Sequence, residues 1–414
     1  MKVAIVKPDY GAAGGFEIVL QRIARGLRER GHQVDLAQVD ATGSPTSHLP
    51  LPVSDDQVRL FREFFFHLNM IAKFEGLDLS AYDVALCTQP CSYAAAHPRK
   101  VLLFYHHTRA FYDLEHVQKT VRGHDNDLYQ LAASIVRDVD SLYLTRGVRI
   151  LAGSLRVKTR LAEYNGLFEN VTVFTAGIDE DVFDAGGPVT FEQPLTIGRH
   201  EFPKRTELFL HAMHHLPGFE GRVLGVGSFT DRLVALDSWL GLQHVDYPGT
   251  GACAIDDDRL WRQYAIHVPM DELRDAAAAL TARGRCSPTR FLGRASREDV
   301  IREYRSALCV VCPAFDEDFG LTCLEAMALG KPVIACRDGG GYVELIDDGV
   351  DGFLVEPSAR AIASAIERLT DRDLARRMGA RGKEKARAFS WPRAIDQIEK
   401  TLEEVRSQKL EVRS

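Results

Sequence analysis

The sequence predicts an α/β protein that contains two doubly wound parallel sheets, one in each half of the chain. Short apolar runs alternate with longer amphipathic stretches from the N-terminus onward, which is typical of strands joined by crossover helices. The 414 residues exceed the size at which a single hydrophobic core usually stops growing. A composition of 45% hydrophobic and 26% charged residues is that of a globular protein and excludes a disordered or fibrous chain.

The predicted strands fall into two series. The first occupies residues 3–6, 34–39, 84–87, 101–105 and 149–152. The second occupies residues 195–197, 222–226, 289–291, 309–312, 332–335 and 352–355. A helix over residues 16–30 that ends at Gly31 joins the first two strands. Between the series, a Gly/Pro-rich stretch beginning at Asp184 predicts a domain boundary. Residues 230–288 are long and irregular, and we interpret them as an insertion of unknown role.

The charge balance and the cysteines limit the class of protein. A net charge of −7, from 51 basic and 58 acidic residues, argues against a nucleic-acid-binding protein. The chain begins without a signal peptide and has no stretch long enough to span a membrane, so we expect it to be cytoplasmic. Its eight cysteines are too sparse to predict a disulfide framework. The aromatic-rich stretch 58–74 predicts a helix packed on the first sheet, with peripheral contact at the inner face of a membrane as the alternative.

Two loops in the first half carry candidate binding residues. Gly14 and Gly15 follow the first strand, where backbone amides can approach an anion or a sugar, although their spacing is not the dinucleotide fingerprint. A tight turn without a ligand is the alternative. His106 and His107 follow the fourth strand, and ligands bind at the carboxyl ends of parallel strands. Either histidine can hydrogen-bond a substrate near neutral pH, and a structural histidine is the alternative.

A basic loop follows the first strand of the second half. Arg199 and Lys204 lie between that strand and a helix that begins near Thr206. Both side chains are cationic at pH 7, so together they can neutralise a diphosphate without a metal ion. The alternative is a solvated basic loop with no ligand.

The loop and helix after the strand at 309–312 provide the most specific signal. Glu317 stands on the loop and Glu325 in the first turns of the helix, and carboxylates can accept hydrogen bonds from vicinal hydroxyls of sugars or ribose. The amides of Phe319, Gly320 and Leu321 can hold a phosphate where the helix begins. A metal site at the string Asp-Glu-Asp lacks further nearby ligands. The three glycines at 339–341 allow another close backbone approach to a ligand, or helix–sheet packing.

These elements, in this order, resemble the retaining glycosyltransferases of family 4, which have the GT-B fold. The spacing Glu317-x7-Glu325 matches the E-x7-E motif of that family, within the longer match FGLTCLEAMALGKPVIA at residues 319–335. The resemblance covers nearly the whole chain. It implies two Rossmann-like domains facing a central cleft, with residues 1–184 on the acceptor side, completed by a helix at about 391–414. Residues 185–390 would form the donor-binding domain.

The resemblance also implies the role of each donor-site residue. Arg199 and Lys204 match the basic pair that holds the donor diphosphate. Glu325 matches the acid on the nucleotide ribose, and Glu317 the acid near the transferred sugar. The loop residues that match backbone contacts to the donor are Phe319, Gly320 and Leu321.

In the first domain, the resemblance implies two further contacts. Gly14 and Gly15 match the loop near the phosphates and the acceptor. His107 matches the histidine near the donor sugar, although the neighbouring His106 is the alternative because the prolines usual after this pattern are missing before Arg109.

The implied activity is a hexosyltransferase of class EC 2.4.1.-. It would move a sugar from a UDP- or GDP-sugar to a hydroxyl of a glycan, lipid-linked or small-molecule acceptor, with α-retention by front-face attack. The nucleotide sugar is a co-substrate, and neither a metal ion nor another cofactor is expected. The alternatives are a nucleotide-sugar epimerase and a non-catalytic protein that binds sugar nucleotides or glycans. The oligomeric state is not predicted.

Overall fold

The computed structural model describes residues 1–11, 15–115, 126–146, 149–183, 186–246, 268–282 and 286–408. The chain divides into two compact units, one formed by Met1–Gly177 with Phe389–Ser414 and the other by Ile178–Ala388. The boundary predicted at Asp184 lies outside the described residues. Each unit contains a six-stranded sheet whose paired strands are parallel, so the predicted pair of Rossmann-like α/β folds is confirmed.

The first unit is built on a sheet with the strand order β2-β1-β3-β4-β5-β6. Its strands are β1 (Lys2–Asp9), β2 (Gln33–Asp40), β3 (Val84–Thr88), β4 (Lys100–Phe104), β5 (Arg149–Ala152) and β6 (Val171–Val173). The described helices over the sheet are α1 (Gly15–Glu29), α2 (Asp55–Leu60), α3 (Arg62–Glu75), α4 (Asn126–Leu144) and α5 (Leu155–Asn165). Strand β6 was not predicted, because it is only three residues long and fully buries one of them.

Local sequence accounts for several of these elements. Residues 3–8 of β1 are all buried, as expected for a central parallel strand covered on both faces. Helix α1 ends where Gly31 adopts φ +85°, a conformation that glycine reaches at low cost. Helix α3 includes most of the aromatic-rich stretch and buries Met70, Ile71 and Phe74, so that stretch packs within the unit. Among the described residues, no helix combines the length and hydropathy of a membrane span.

The closing helix, Trp391–Ser407, packs against the first unit. Ile395 lies so close to α1 that a Cβ added to Gly26 would be 2.6 Å from its side chain. Arg30 forms ion pairs of 2.5 Å with both Asp396 and Glu399 of this helix. The chain therefore returns to its first unit after it has completed the second.

The second unit has the strand order β12-β11-β10-β7-β8-β9. Its strands are β7 (Leu195–Ile197), β8 (Gly221–Leu224), β9 (Thr289–Gly293), β10 (Val310–Cys312), β11 (Val333–Cys336) and β12 (Gly352–Val355). The described helices are α6 (Glu180–Phe183), α7 (Thr206–His214), α8 (Thr230–Asp246), α9 (Met270–Ala282), α10 (Arg297–Ser306), α11 (Leu321–Ala328), α12 (Gly341–Leu345), α13 (Ala359–Arg368) and α14 (Arg372–Ala386). The closing helix of the first unit is α15.

The segment predicted as an irregular insertion, residues 230–288, begins and ends in helices of the second unit. Leu236 and Leu240 of α8 and Leu273 of α9 are at most 1% exposed and belong to the main hydrophobic core of this unit. Their apolar spacing follows a helical face, which the sequence analysis did not recognise among the glycine-rich and acidic residues between them. Residues 247–267, which form the middle of this segment, lie outside the described residues.

Candidate functional site

Three loops meet at the carboxyl edge of the second sheet. Strands β7 and β10 are neighbours there, although the chain leaves β7 toward β8 and returns to β10 only later. Such a switch point leaves a crevice at the strand ends in which open α/β sheets bind ligands. The loops after β7, β10 and β11 are joined by backbone hydrogen bonds from Phe315 to Pro203 (2.7 Å) and from Asp316 to Asp338 (2.9 Å). The predicted donor-site motifs therefore fold into one place.

Arg205 holds these three loops together from inside. Its side chain is 1% exposed, and its backbone has φ +49°, which is unfavourable for a residue with a Cβ. The guanidinium donates to the carbonyl oxygen of Pro313 at 2.6 Å and to both carboxylate oxygens of Asp338 at 2.9 and 2.5 Å. A bidentate pair of this kind fixes both distance and orientation. Arg205 was not predicted as a site residue, because its signal in the sequence was only a second basic residue beside Lys204.

Lys204 and Glu317 form an ion pair at the surface of this cluster. Nζ of Lys204 lies 2.6 Å from Oε2 of Glu317, and their side chains are 25% and 17% exposed. Lys204 ends a short 3-10 helix over Phe202–Lys204, and Glu317 lies in the loop after β10. The structure thus brings together a cation and a carboxylate that the sequence analysis had selected from separate motifs.

Arg199, the other predicted cation, lies exposed in the loop after β7. Within the part of the chain that the structure describes, its guanidinium has no ion pair or side-chain hydrogen bond. This loop sits close to the next strand end, because a Cβ added to Gly225 would be 1.9 Å from the carbonyl oxygen of Gly198. Arg199 is therefore available to an external anion, whereas Lys204 already has a partner.

Helix α11 begins at Leu321, directly after Gly320. Gly320 is the N-cap residue with φ +106° and ψ 44°, and a Cβ there would lie 2.6 Å from the ring of Tyr342. The position therefore requires glycine. Among the described residues, the amides of Gly320, Leu321 and Thr322 have no hydrogen-bond acceptor, while the preceding Phe319 is buried. Unpaired amides at a helix start attract an anion, and the helix dipole adds to that attraction.

The glycine-rich loop after β11 packs against the chain itself. A Cβ on Gly340 would lie 2.5 Å from the carbonyl oxygen of Glu317, and one on Gly341 would lie 2.8 Å from that of Phe319. Gly341 also donates a backbone hydrogen bond to Glu317 at 2.7 Å. The sequence predicted that a ligand approaches these glycines closely or that they allow helix–sheet packing. In the structure, the loop that carries Glu317 makes the close approach.

Glu325 lies one turn into α11 and is held by helix α10. Arg297 donates to Oε1 at 2.7 Å, and the hydroxyl of Tyr304 donates to Oε2 at 3.0 Å. Tyr304 is 1% exposed, and this burial together with the nearby charge of Glu325 raises its pKa well above the usual value. Neither partner was predicted, because nothing in an amphipathic helix shows which of its residues faces a carboxylate.

In the first unit, His107 is buried in an aromatic cluster. Its ring is 1% exposed and stacks on Tyr112 at 4.1 Å between centroids, and Nε2 lies 2.7 Å from Oδ1 of Asn165. Burial lowers its pKa to about 4, so the ring is neutral at physiological pH. The sugar contact predicted for His107 requires access that this packing does not provide. His106, by contrast, is only half-buried.

The glycine loop of the first unit is described only in part. Gly14 lies outside the described residues, and Gly15 is the first residue of α1. Beside this loop, Lys7 at the end of β1 is 7% exposed, and its Nζ lies 3.8 Å from Oε1 of Glu17. This partly buried ion pair was not predicted, and its signal was a lysine inside a stretch of β1 that is otherwise apolar.

Two family models match the chain. The model described as Glycosyltransferase Family 4 matches residues 13–182, and the model described as Glycosyl transferases group 1 matches residues 273–385. The second match includes the loop and helix that carry Glu317 and Glu325. Together, the two matches extend over parts of both compact units.

Similar proteins include the D-inositol 3-phosphate glycosyltransferase of Nocardia farcinica, which is 27% identical over 416 residues. That alignment covers 94% of this chain and 84% of the relative. The enzyme of the same name from Saccharomonospora viridis is 41% identical over 112 residues, which are 27% of this chain and 26% of the relative.

Two solved structures have a similar fold. A sucrose-phosphate synthase from Thermosynechococcus elongatus matches with a TM-score of 0.65 and 19% identity, over 98% of each chain. Anabaena HepE in complex with UDP and glucose matches with a TM-score of 0.64 and 18% identity, over 98% of this chain and 100% of its own.

Proposed function

Because the chain belongs to the family 4 glycosyltransferases and has the GT-B fold, we propose that it transfers a sugar from a nucleoside-diphosphate sugar to an acceptor hydroxyl. The observation that carries this proposal is the cluster at the switch point of the second sheet. There, the cations of Arg199 and Lys204, the carboxylate of Glu317 and the unpaired amides at the start of α11 occupy neighbouring loops, and the carboxylate of Glu325 lies on α11 itself. This combination suits a ligand that has both a diphosphate and vicinal hydroxyls.

In the proposed reaction, the bond between the anomeric carbon and the diphosphate oxygen breaks. Negative charge then develops on the diphosphate, and Arg199, Lys204 and the amides near Gly320 stabilise it. The two cations neutralise the leaving group, so we propose that no metal ion takes part. The carboxylate of Glu317 accepts hydrogen bonds from the transferred sugar and orients it.

We propose further that the product keeps the α configuration. The acceptor oxygen attacks the anomeric carbon on the face from which the diphosphate leaves. The acceptor proton passes to the departing phosphate oxygen, so one C–O bond forms as another breaks and no net charge is created. This route needs no protein base, and it agrees with the burial of His107, which lowers the pKa of that ring to about 4 and so makes it a weak base.

The similar proteins support a choice of donor and acceptor class. HepE binds UDP, glucose and UDP-glucose, which supports a UDP-hexose as the donor. The relatives' name, D-inositol 3-phosphate glycosyltransferase, adds a phosphorylated cyclitol to the acceptors expected from the sequence. Glycans, lipid-linked sugars and small-molecule alcohols are the other classes.

An assay with both substrates tests this function. The protein is incubated with UDP- or GDP-hexoses and an acceptor panel that includes D-inositol 3-phosphate, with and without EDTA. We expect nucleoside diphosphate and a new α-glycoside in equal amounts, unaffected by EDTA, as measured by mass spectrometry and NMR. A β-glycoside would overturn the proposed stereochemistry. Isomerised donor without glycoside would indicate an epimerase, and donor binding without turnover would indicate a binding protein.

A further inference from the structure

Both oxygens of the Glu325 carboxylate are held by side chains of one helix. Arg297 donates a hydrogen bond to Oε1 at 2.7 Å and Tyr304 donates one to Oε2 at 3.0 Å, and both residues belong to α10. Residues seven apart are separated by about two turns and therefore lie on the same face of a helix. Helix α10 thus presents two hydrogen-bond donors to one carboxylate on the neighbouring helix α11.

The two donors are themselves fixed in place. Ser296 caps α10, and its hydroxyl accepts from the amide of Asp299 at 3.2 Å, so the helix start that carries Arg297 is well defined. Arg297 also lies 3.6 Å from Asp181, which holds the guanidinium from a second side. Tyr304 is 1% exposed and so has little freedom to turn away.

This arrangement fixes the orientation of the Glu325 carboxylate and leaves lone pairs on both oxygens to accept further hydrogen bonds. A carboxylate offers about four lone-pair sites, and the two hydrogen bonds to α10 use one on each oxygen. The remaining site on each oxygen can accept one hydroxyl hydrogen, so the pair can accept two adjacent hydroxyls. A carboxylate held through only one oxygen could rotate, and a second hydroxyl would then have no fixed acceptor.

We propose that Arg297 and Tyr304 are positioning residues, which orient Glu325 toward the 2′- and 3′-hydroxyls of the donor ribose. They thereby make the enzyme select ribonucleotides over 2′-deoxyribonucleotides. This inference rests on the proposed function, because it assumes that a nucleotide occupies the site. It adds that selectivity for ribose depends on two residues that do not themselves touch the nucleotide.

Calorimetric titration of the full-length protein provides the test. UDP, GDP and ADP are each compared with their 2′-deoxy forms, on the wild type and on Tyr304→Phe, Arg297→Gln and Arg297→Lys. We expect the wild type to bind its preferred ribonucleotide at least tenfold more tightly than the deoxy form. Tyr304→Phe and Arg297→Gln should each reduce that ratio at least threefold by weakening ribonucleotide binding alone. Arg297→Lys should restore part of it.

A matched variant controls for the loss of a buried tyrosine hydroxyl. Tyr143 of the first unit also donates its hydroxyl to a glutamate, Glu75, so Tyr143→Phe should leave the ribose selectivity unchanged. Unchanged selectivity in both Tyr304→Phe and Arg297→Gln, with only a lower melting temperature, would assign them a structural role and overturn the inference. So would a wild type that binds both nucleotide forms equally. Absence of any nucleotide binding to the wild type would instead refute the proposed function itself.

Discussion

The ammonium group of Lys204 lies 2.6 Å from Oε2 of Glu317, although the two residues are 113 positions apart in the chain. Without a donor, each neutralises the other. A bound diphosphate would compete with Glu317 for Lys204, so the two side chains have separable effects on binding and on transfer.

We expect Lys204→Ala to lower kcat by roughly 10²–10³-fold, because it removes a cation that stabilises the leaving diphosphate. Steady-state release of nucleoside diphosphate in the presence of acceptor measures this effect. Lys383→Ala, on α14, is the matched control for loss of a lysine and should retain wild-type kcat. A kcat for Lys204→Ala within threefold of wild type would exclude the assigned role.

Glu317→Ala should separate binding from turnover. Removal of the carboxylate frees Lys204 and takes a negative charge away from the diphosphate, so UDP should bind several-fold more tightly. Sugar transfer should nevertheless fall by at least tenfold, because the transferred sugar loses a hydrogen-bond acceptor. Calorimetry with UDP and initial-rate assays provide the two readouts. Weaker UDP binding would show that Glu317 does not compete for Lys204.

Arg205→Ala should destabilise the second unit by about 1–3 kcal/mol, because the carbonyl oxygens of Pro313 and Ala314 would lose a buried donor and Asp338 would lose its bidentate partner. Urea denaturation followed by circular dichroism measures the free energy of unfolding. Arg337→Ala removes a 53%-exposed guanidinium that pairs with Asp348 at 3.0 Å, and should cost about 0–1 kcal/mol. Equal losses for the two variants would contradict the assigned role of Arg205.

Gly320→Ala should weaken both stability and nucleotide binding. The added Cβ would lie 2.6 Å from the Tyr342 ring, and φ +106° is costly for any residue with a Cβ. We expect a loss of about 1–3 kcal/mol in unfolding free energy and a lower affinity for UDP, because the amides at the start of α11 must shift. Gly186→Ala, at an exposed glycine with no atoms within 4 Å, is the control. An unchanged affinity for UDP would separate Gly320 from the binding site.

The lowered pKa of His107 predicts how the free energy of unfolding depends on pH. Its pKa is about 4 in the folded protein and near 6.5 when unfolded, so between these values only the unfolded state binds the proton. Stability should therefore fall as the pH drops from 6.5 toward 4, by roughly 3 kcal/mol from this residue. In the His107→Gln variant, the free energy of unfolding should no longer show this decrease between pH 6.5 and 4. The control variant His48→Gln, at an exposed histidine, should still show it. Urea denaturation at stepwise pH is the measurement, and identical slopes for wild type and His107→Gln would refute the assignment.

The sequence by itself determined the two parallel sheets and the motif residues at their strand ends. The apolar run in β1 reflects the burial of that strand, and the glycines at Gly31 and Gly320 reflect a backbone conformation with positive φ. Both properties are visible in a single stretch of chain, which is why the strand positions and the glycine-containing loop before α11 could be predicted.

Only the tertiary structure decided which of those residues meet. Arg205 binds Asp338 across 133 positions because β10 inserts beside β7, and Tyr304 reaches Glu325 because α10 lies against α11. His107 follows a strand just as His106 does, yet packing alone buries one and leaves the other partly open. Sequence periodicity shows that a side chain is buried, whereas its partner is set by the order in which distant strands pair.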